Sequence, residues 1–189
     1  MEYLRLSWAE IQEQCEILAR WIKTRGYDKY AIVGLARGGW VPARILSDLL
    51  DNKELYTLTV QFYKSVGKTR EKPVVVQPVQ GDIAGKDILL VDDIADTGES
   101  LIAAAEHLKE RGAGDIIVAT LVKKPHTKFE PDFCVEETSA WVIFPWEVRE
   151  TVRDIISSSK SEENLAQEMR KARISDEERK EVLRETEGY

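Results

Sequence analysis

Two spacings of apolar residues alternate along most of the chain. Ile11, Cys15, Leu18 and Ile22 recur along one helical face. Ser7, with Glu10 three residues later, supplies a capping box at its start, and Gly26 ends the pattern. A continuous apolar run, Tyr30 to Leu35, then reads as a buried strand. It opens into Ala36-Arg37-Gly38-Gly39 and a helix over Val41–Leu50 with Pro42 in its first turn. Further strands are expected at Glu54–Phe62, Pro73–Val79, Asp87–Val91, Ile116–Val122, Phe133–Val135 and Trp141–Phe144, with a helix near Glu99–Arg111. Between Tyr63 and Glu71, Lys64, Lys68 and Arg70 accompany Gly67 without regular apolar spacing, which predicts a loop.

Strand–turn–helix units repeated in this way predict an α/β fold, a mostly parallel twisted sheet flanked by helices. Ligands of such folds gather beyond the carboxyl ends of the strands, so the turns after Leu35, Val91 and Val122 are the places to look for chemistry.

Charge changes the picture at the far end. Residues 149–189 carry 20 charged side chains out of 41, whereas all five tryptophans lie earlier. The main domain is therefore expected over residues 1–156. Residues 157–189 are expected to form a charged helical extension beyond a Ser157–Lys160 joint, with Ser175 and Glu178 capping one of its helices. The net charge of −7 gives no support to a broad nucleic-acid surface. Two cysteines and two histidines are too few for a disulfide scaffold or a histidine-rich metal site. No apolar run is long enough to span a membrane, and the first ten residues lack the features of a secretory signal. The expectation is a soluble, cytoplasmic protein.

The sharpest feature is the segment Ile88-Leu89-Leu90-Val91-Asp92-Asp93-Ile94-Ala95-Asp96-Thr97-Gly98-Glu99-Ser100. A buried strand runs into two adjacent carboxylates, then a third, then a small polar turn that starts a helix. Successive backbone N–H groups from Asp96 to Ser100 can wrap a monophosphate at the positive end of that helix, through Thr97, Gly98 and Glu99. Thr97 and Ser100 add hydroxyls, and Gly98 permits close approach. Asp92 and Asp93 precede the cradle, where a sugar carrying that phosphate would lie. Carboxylates accept from vicinal hydroxyls and bind Mg²⁺ directly or through water. The sequence has neither a GxxxxGK[ST] loop nor a GxGxxG fingerprint.

This segment resembles the phosphoribosyl pyrophosphate motif of the type I phosphoribosyltransferases, and the resemblance extends over about residues 30–148. It implies that Asp92 and Asp93 engage the ribose hydroxyls and Mg²⁺, that Asp96 acts as general acid/base on the purine imidazole, and that Thr97, Gly98, Glu99 and Ser100 belong to the 5′-phosphate pocket. Arg37, Gly38 and Gly39 correspond to the loop that holds the leaving diphosphate. Lys124, followed by Pro125, resembles the lysine that donates to a purine O6, with Lys123 leaving the register open by one. Trp141-Val142-Ile143-Phe144-Pro145-Trp146-Glu147 is similar to a segment of the bacterial xanthine–guanine enzymes. By that likeness Trp141 stacks on the base, Val142 contacts it, and Glu147 stands near base and metal. Phe62-Tyr63 and the basic stretch after it resemble the start of a mobile catalytic loop. His107 is read as a packed helix residue, and His126 as a weak candidate near the pocket.

The implied activity is Mg²⁺-dependent transfer of 5-phosphoribosyl from phosphoribosyl pyrophosphate to N9 of a 6-oxopurine: hypoxanthine, guanine or xanthine. A homodimer or higher homo-oligomer is expected, with no membrane or nucleic-acid partner. The alternatives are an enzyme for adenine, uracil or orotate, and a non-catalytic sensor of phosphoribosyl pyrophosphate.

Overall fold

The computed structural model describes residues 1–63 and 72–186. The loop expected between Tyr63 and Glu71, with Lys64, Lys68 and Arg70, lies outside the described residues. The contacts divide the chain into two compact units, Ile11–Thr138 and Met1–Glu10 together with Ser139–Tyr189.

The larger unit is built on a six-stranded sheet. Its strands are β2 (Ala31–Ala36), β3 (Leu55–Tyr63), β4 (Lys72–Gln77), β5 (Ile88–Ala95), β6 (Ile116–Lys123) and β7 (Phe133–Glu137). Their order is β4-β3-β2-β5-β6-β7, and every pairing is parallel except β3 with β4. The chain moves outward from β2 to β3 and then returns to place β5 on the other side of β2. The gap between the carboxyl ends of β2 and β5 is thus a topological switch point, where a crevice opens in folds of this kind.

Strand alternation explains the two covered faces. Val33 and Leu35 pack with Leu101, Ala104 and Leu108 of helix α3 (Glu99–Glu110) in one buried cluster. Gly34 faces the other way, against α2 (Trp40–Leu49); a Cβ there would come within 2.9 Å of Ala43 Cβ and 3.1 Å of Trp40 Cε3. Helix α1 (Trp8–Thr24) buries Ile11, Cys15, Leu18 and Ile22, the face that the spacing predicts, and Ser7 and Glu10 form the capping box. Burial pushes the Cys15 thiol up to about 12, as suits a small core side chain rather than a reactive one.

The smaller unit pairs two three-residue strands, β1 (Tyr3–Arg5) and β8 (Trp141–Ile143), in parallel, so the strand expected at Trp141–Phe144 joins a separate sheet. Three helices follow: α4 (Val148–Ser158), α5 (Glu162–Lys171) and α6 (Asp176–Thr186). The charged carboxyl-terminal segment is helical as expected, and it has a core. Ile143, Val152, Ile155, Met169, Ala172, Ile174 and Val182 form a buried cluster. Ser157 and Ser158 belong to the last turn of α4, and the break comes just after them. Arg5 anchors the helices by hydrogen-bonding the Glu178 carboxylate and the Arg173 carbonyl, while Ser175 and Glu178 form the expected capping box. Among the described residues, no helix is long and apolar enough to cross a membrane.

Candidate active site

The site grows from the ends of β2, β5 and β6. The β5 run ILLV is fully buried, which fixes the strand at the centre of the sheet and carries Asp92 and Asp93 with it to its carboxyl end. Both carboxylates are themselves nearly inaccessible, at 8 % and 5 % exposure. Isolated buried charges are costly, so two adjacent ones at a strand end mark a polar constellation rather than a solvated acidic loop. Asp92 Oδ1 accepts the Asp93 backbone N–H at 3.0 Å.

The turn after β2 comes against these acids. A Cβ built on Gly38 would lie 1.8 Å from Asp93 Oδ2, and one on Gly39 would lie 2.6 Å from the Val91 carbonyl and 2.7 Å from Asp92 Cα. Glycine is therefore required twice in succession, because the backbone of this turn lies directly on β5 and the Asp93 side chain. The Ala36–Arg37 peptide that leads into it is cis.

Beyond Ala95 the chain turns through Asp96 and Thr97, both exposed, to Gly98, which takes a left-handed conformation (φ +80°) before α3 begins. No side chain caps α3 from Gly98. The Glu99 N–H reaches Thr97 Oγ1 at 3.3 Å, while Ser100 is half-buried in the first turn. Backbone N–H groups at a helix start, the helix dipole and the Thr97 and Ser100 hydroxyls are together chemically suited to an anion. Gly98 also admits close packing, since a Cβ there would lie 2.7 Å from Phe129 N and 2.9 Å from Thr127 Oγ1.

The two lysines at the end of β6 part company. Lys123 pairs with Glu130 and, at 3.3 Å, with Glu137; these carboxylates hold its ammonium above the usual lysine value. Lys124 is buried at 7 % exposure, and its backbone N–H donates to Ala95 O at 2.9 Å, just before Asp96. Desolvation lowers its pKa, with the charge of Asp96 acting in opposition. Lys124 is thus the lysine near Asp96.

Arg37, Gly38, Gly39, Asp92, Asp93, Asp96 through Ser100 and Lys124 all belong to the larger unit. Trp141, Val142 and Glu147 belong to the smaller one. There Trp141 is exposed, Val142 is buried in β8, and Glu147 stands at the start of α4 with its N–H on Phe144 O at 3.0 Å. Trp146 packs, stacking on Phe144 with 5.0 Å between ring centroids. His107 sits in α3 with the Val79 N–H directed at its Nε2, a packed role.

Sequence reasoning missed the turn that braces Asp96 and Gly98. Thr127, Lys128 and Phe129 lie about thirty positions downstream, and no local pattern marks them. The parallel pairing of β5 with β6 brings them there, so strand adjacency is the one signal that would have found them.

Among the described residues, no group of three or more His, Cys, Asp or Glu side chains converges to hold a metal. Asp92 and Asp93 offer two carboxylates. That set suits a Mg²⁺ ion arriving on a phosphate substrate, which keeps its waters and needs only one or two protein oxygens, better than a resident ion.

Comparison with known proteins places the chain among relatives. Residues 7–153 match the model of the phosphoribosyl transferase domain. A xanthine-guanine phosphoribosyltransferase of Cereibacter sphaeroides is 32 % identical over 150 residues, covering 76 % of this chain and 86 % of that one. The crystal structure of a purine phosphoribosyltransferase from Pyrococcus horikoshii is 38 % identical, with a TM-score of 0.70 over 77 % of this chain and 94 % of that one. A Helicobacter pylori xanthine-guanine-hypoxanthine phosphoribosyltransferase, at 23 % identity and a TM-score of 0.67, covers 82 % of this chain and 99 % of its own and shares the fold. With the matched domain over most of its length, these relatives and a mostly parallel sheet in the order described, the chain belongs to the type I phosphoribosyltransferase family.

Proposed function

We propose that the protein transfers the 5-phosphoribosyl group of phosphoribosyl pyrophosphate to N9 of a 6-oxopurine and releases pyrophosphate. One observation carries this reading: Gly38 lies against the Asp93 carboxylate, so the proposed diphosphate turn abuts one of the proposed ribose-binding acids. The turn at Asp96–Ser100 takes the 5′-phosphate, Asp92 and Asp93 take the ribose hydroxyls, and the Arg37–Gly39 turn takes the diphosphate. Gripping the donor at both ends leaves C1′ between them and orients it for displacement.

The reaction makes one bond, N9–C1′, and breaks one, from C1′ to the diphosphate oxygen. N9 needs its in-plane lone pair, so the imidazole proton must sit on N7 before attack. As N9 bonds to C1′ that proton becomes acidic, and Asp96 accepts it. Its exposed position then lets it pass the proton to water. Diphosphate departs with the electron pair of the broken bond, stabilised by the Arg37 guanidinium and the backbone N–H groups of its turn. Mg²⁺, held with the diphosphate by Asp92 and Asp93, would neutralise part of that charge.

Lys124 supports a 6-oxopurine. An ammonium donates and cannot accept, so it suits a purine O6 and not an exocyclic amine. The similarity to a xanthine-guanine enzyme and a purine enzyme supports the same substrate class.

Asp96→Asn tests the assignment. Asparagine keeps the shape and cannot take the proton, so turnover should fall about 10²-fold or more with phosphoribosyl pyrophosphate affinity retained. An unchanged turnover in D96N would remove Asp96 from the chemistry.

A further inference from the structure

The turn after β6 runs alongside the turn after β5 and is tied to it almost residue by residue. Lys124 N–H donates to Ala95 O at 2.9 Å, and Lys128 N–H donates to Thr97 O at 3.0 Å. Lys128 Nζ pairs with Glu99 Oε1 at 2.6 Å, and Gly98 packs against Thr127 and Phe129. The downstream turn is itself closed, by Thr127 N–H on Lys124 O at 3.1 Å and Thr127 Oγ1 on Phe129 O at 3.2 Å. Within this frame His126 Nε2 lies 3.0 Å from Asp96 Oδ1.

We infer that His126 is a positioning residue for Asp96: its Nε2–H holds one carboxylate oxygen and so presents the other to the purine imidazole. This rests on the proposed function. An ionised carboxylate only accepts hydrogen bonds, so Nε2 must carry the proton, which both the neutral Nε2–H tautomer and the imidazolium do. Both side chains are more than half exposed, at 65 % and 59 %. A pair that open to water adds little stability. Its effect is geometric. Asp96 sits on a short exposed turn, and without a partner its carboxylate would sample several rotamers. The backbone on both sides of the contact is already fixed by the bonds at 95, 97, 124 and 128, so pairing has only the two side chains left to order.

His126→Ala should lower kcat about tenfold while leaving KM for phosphoribosyl pyrophosphate within about twofold, the size of effect seen when an orienting partner is lost. Glutamine places an amide N–H at a similar reach, so His126→Gln should keep kcat within about threefold of wild type. In an Asp96→Asn background, His126→Ala should cost nothing more, because the group it orients no longer takes the proton. Wild-type kcat in H126A, or the same loss in H126A with and without D96N, would overturn the assignment. A second readout needs no turnover: the His126 ring resonances in two-dimensional NMR should move in D96N. If the wild-type protein transfers phosphoribosyl to no base, the functional reading fails on its own. Unmoved ring resonances in D96N would then overturn the pairing separately.

Discussion

Gly38→Ala perturbs the closest approach in the site. The added methyl would stand 1.8 Å from Asp93 Oδ2 and 2.4 Å from its Cγ, where real contacts are rarely under 3.0 Å. Something must yield by roughly an ångström, and only two things can. The diphosphate turn can lift away from β5, or the Asp93 carboxylate can rotate off its position. The first displaces the backbone N–H groups that hold the leaving group. The second removes a charge-assisted hydrogen bond to the ribose, of a kind worth about 1.5–3 kcal/mol. Either route should lower kcat/KM for phosphoribosyl pyrophosphate about 10²-fold, with an overpacking cost to stability of about 1–3 kcal/mol. Initial rates of pyrophosphate release and urea denaturation would measure both. Gly26→Ala is the control: φ is +79° there with no atom within 4 Å of a Cβ, so backbone strain of about 1 kcal/mol should appear without a change in rate. A G38A enzyme within threefold of wild type would refute the argument that the Gly38 turn and the Asp93 carboxylate act as one site.

Two further outcomes follow from charge. Desolvation holds Lys124 below the usual lysine value, so a purine-donating ammonium there is lost at lower pH than on an exposed lysine. The alkaline limb of kcat/KM should therefore move to higher pH in Lys124→Arg, and an unmoved limb would assign it to another group. In the smaller unit, Arg5 holds the Glu178 carboxyl down to about 2 from 4.5. A depressed folded value means that the pair stabilises the fold fully above pH 4.5 and loses that contribution as pH falls toward 2. Allowing for partial exposure, Glu178→Gln should cost on the order of 1–2 kcal/mol at neutral pH and much less at pH 2–3, by denaturant titration. Equal costs at both pH values would contradict it.

Much of the larger unit was legible because its strands are buried on both faces. Runs such as Ile88–Val91 and Ile116–Val122 have no polar alternation to confuse them, and capping boxes at Ser7 and Ser175 announce two helices. The failures have physical causes. The three residues of β1 are too few to show a period, and their partner β8 lies 138 residues away in register, Tyr3 against Trp141. Helix α4 was hidden by its charge, although Val148, Val152 and Ile155 have helical spacing and the last two are buried. At the candidate site, Asp92, Asp93 and the Gly98 turn stand close together in the sequence, so the strand end and the turn that starts a helix could be read. The contacts of Gly38 with Asp93 and of His126 with Asp96 depend on which strands are neighbours, and no local spacing encodes that.

The central claim is tested most directly by turnover with phosphoribosyl pyrophosphate and Mg²⁺ against hypoxanthine, guanine, xanthine, adenine and orotate, following nucleotide and pyrophosphate together. The account predicts equimolar nucleoside monophosphate and pyrophosphate with at least one 6-oxopurine and little with adenine or orotate. Saturable donor binding with no product from any base would contradict it and identify a sensor rather than a transferase.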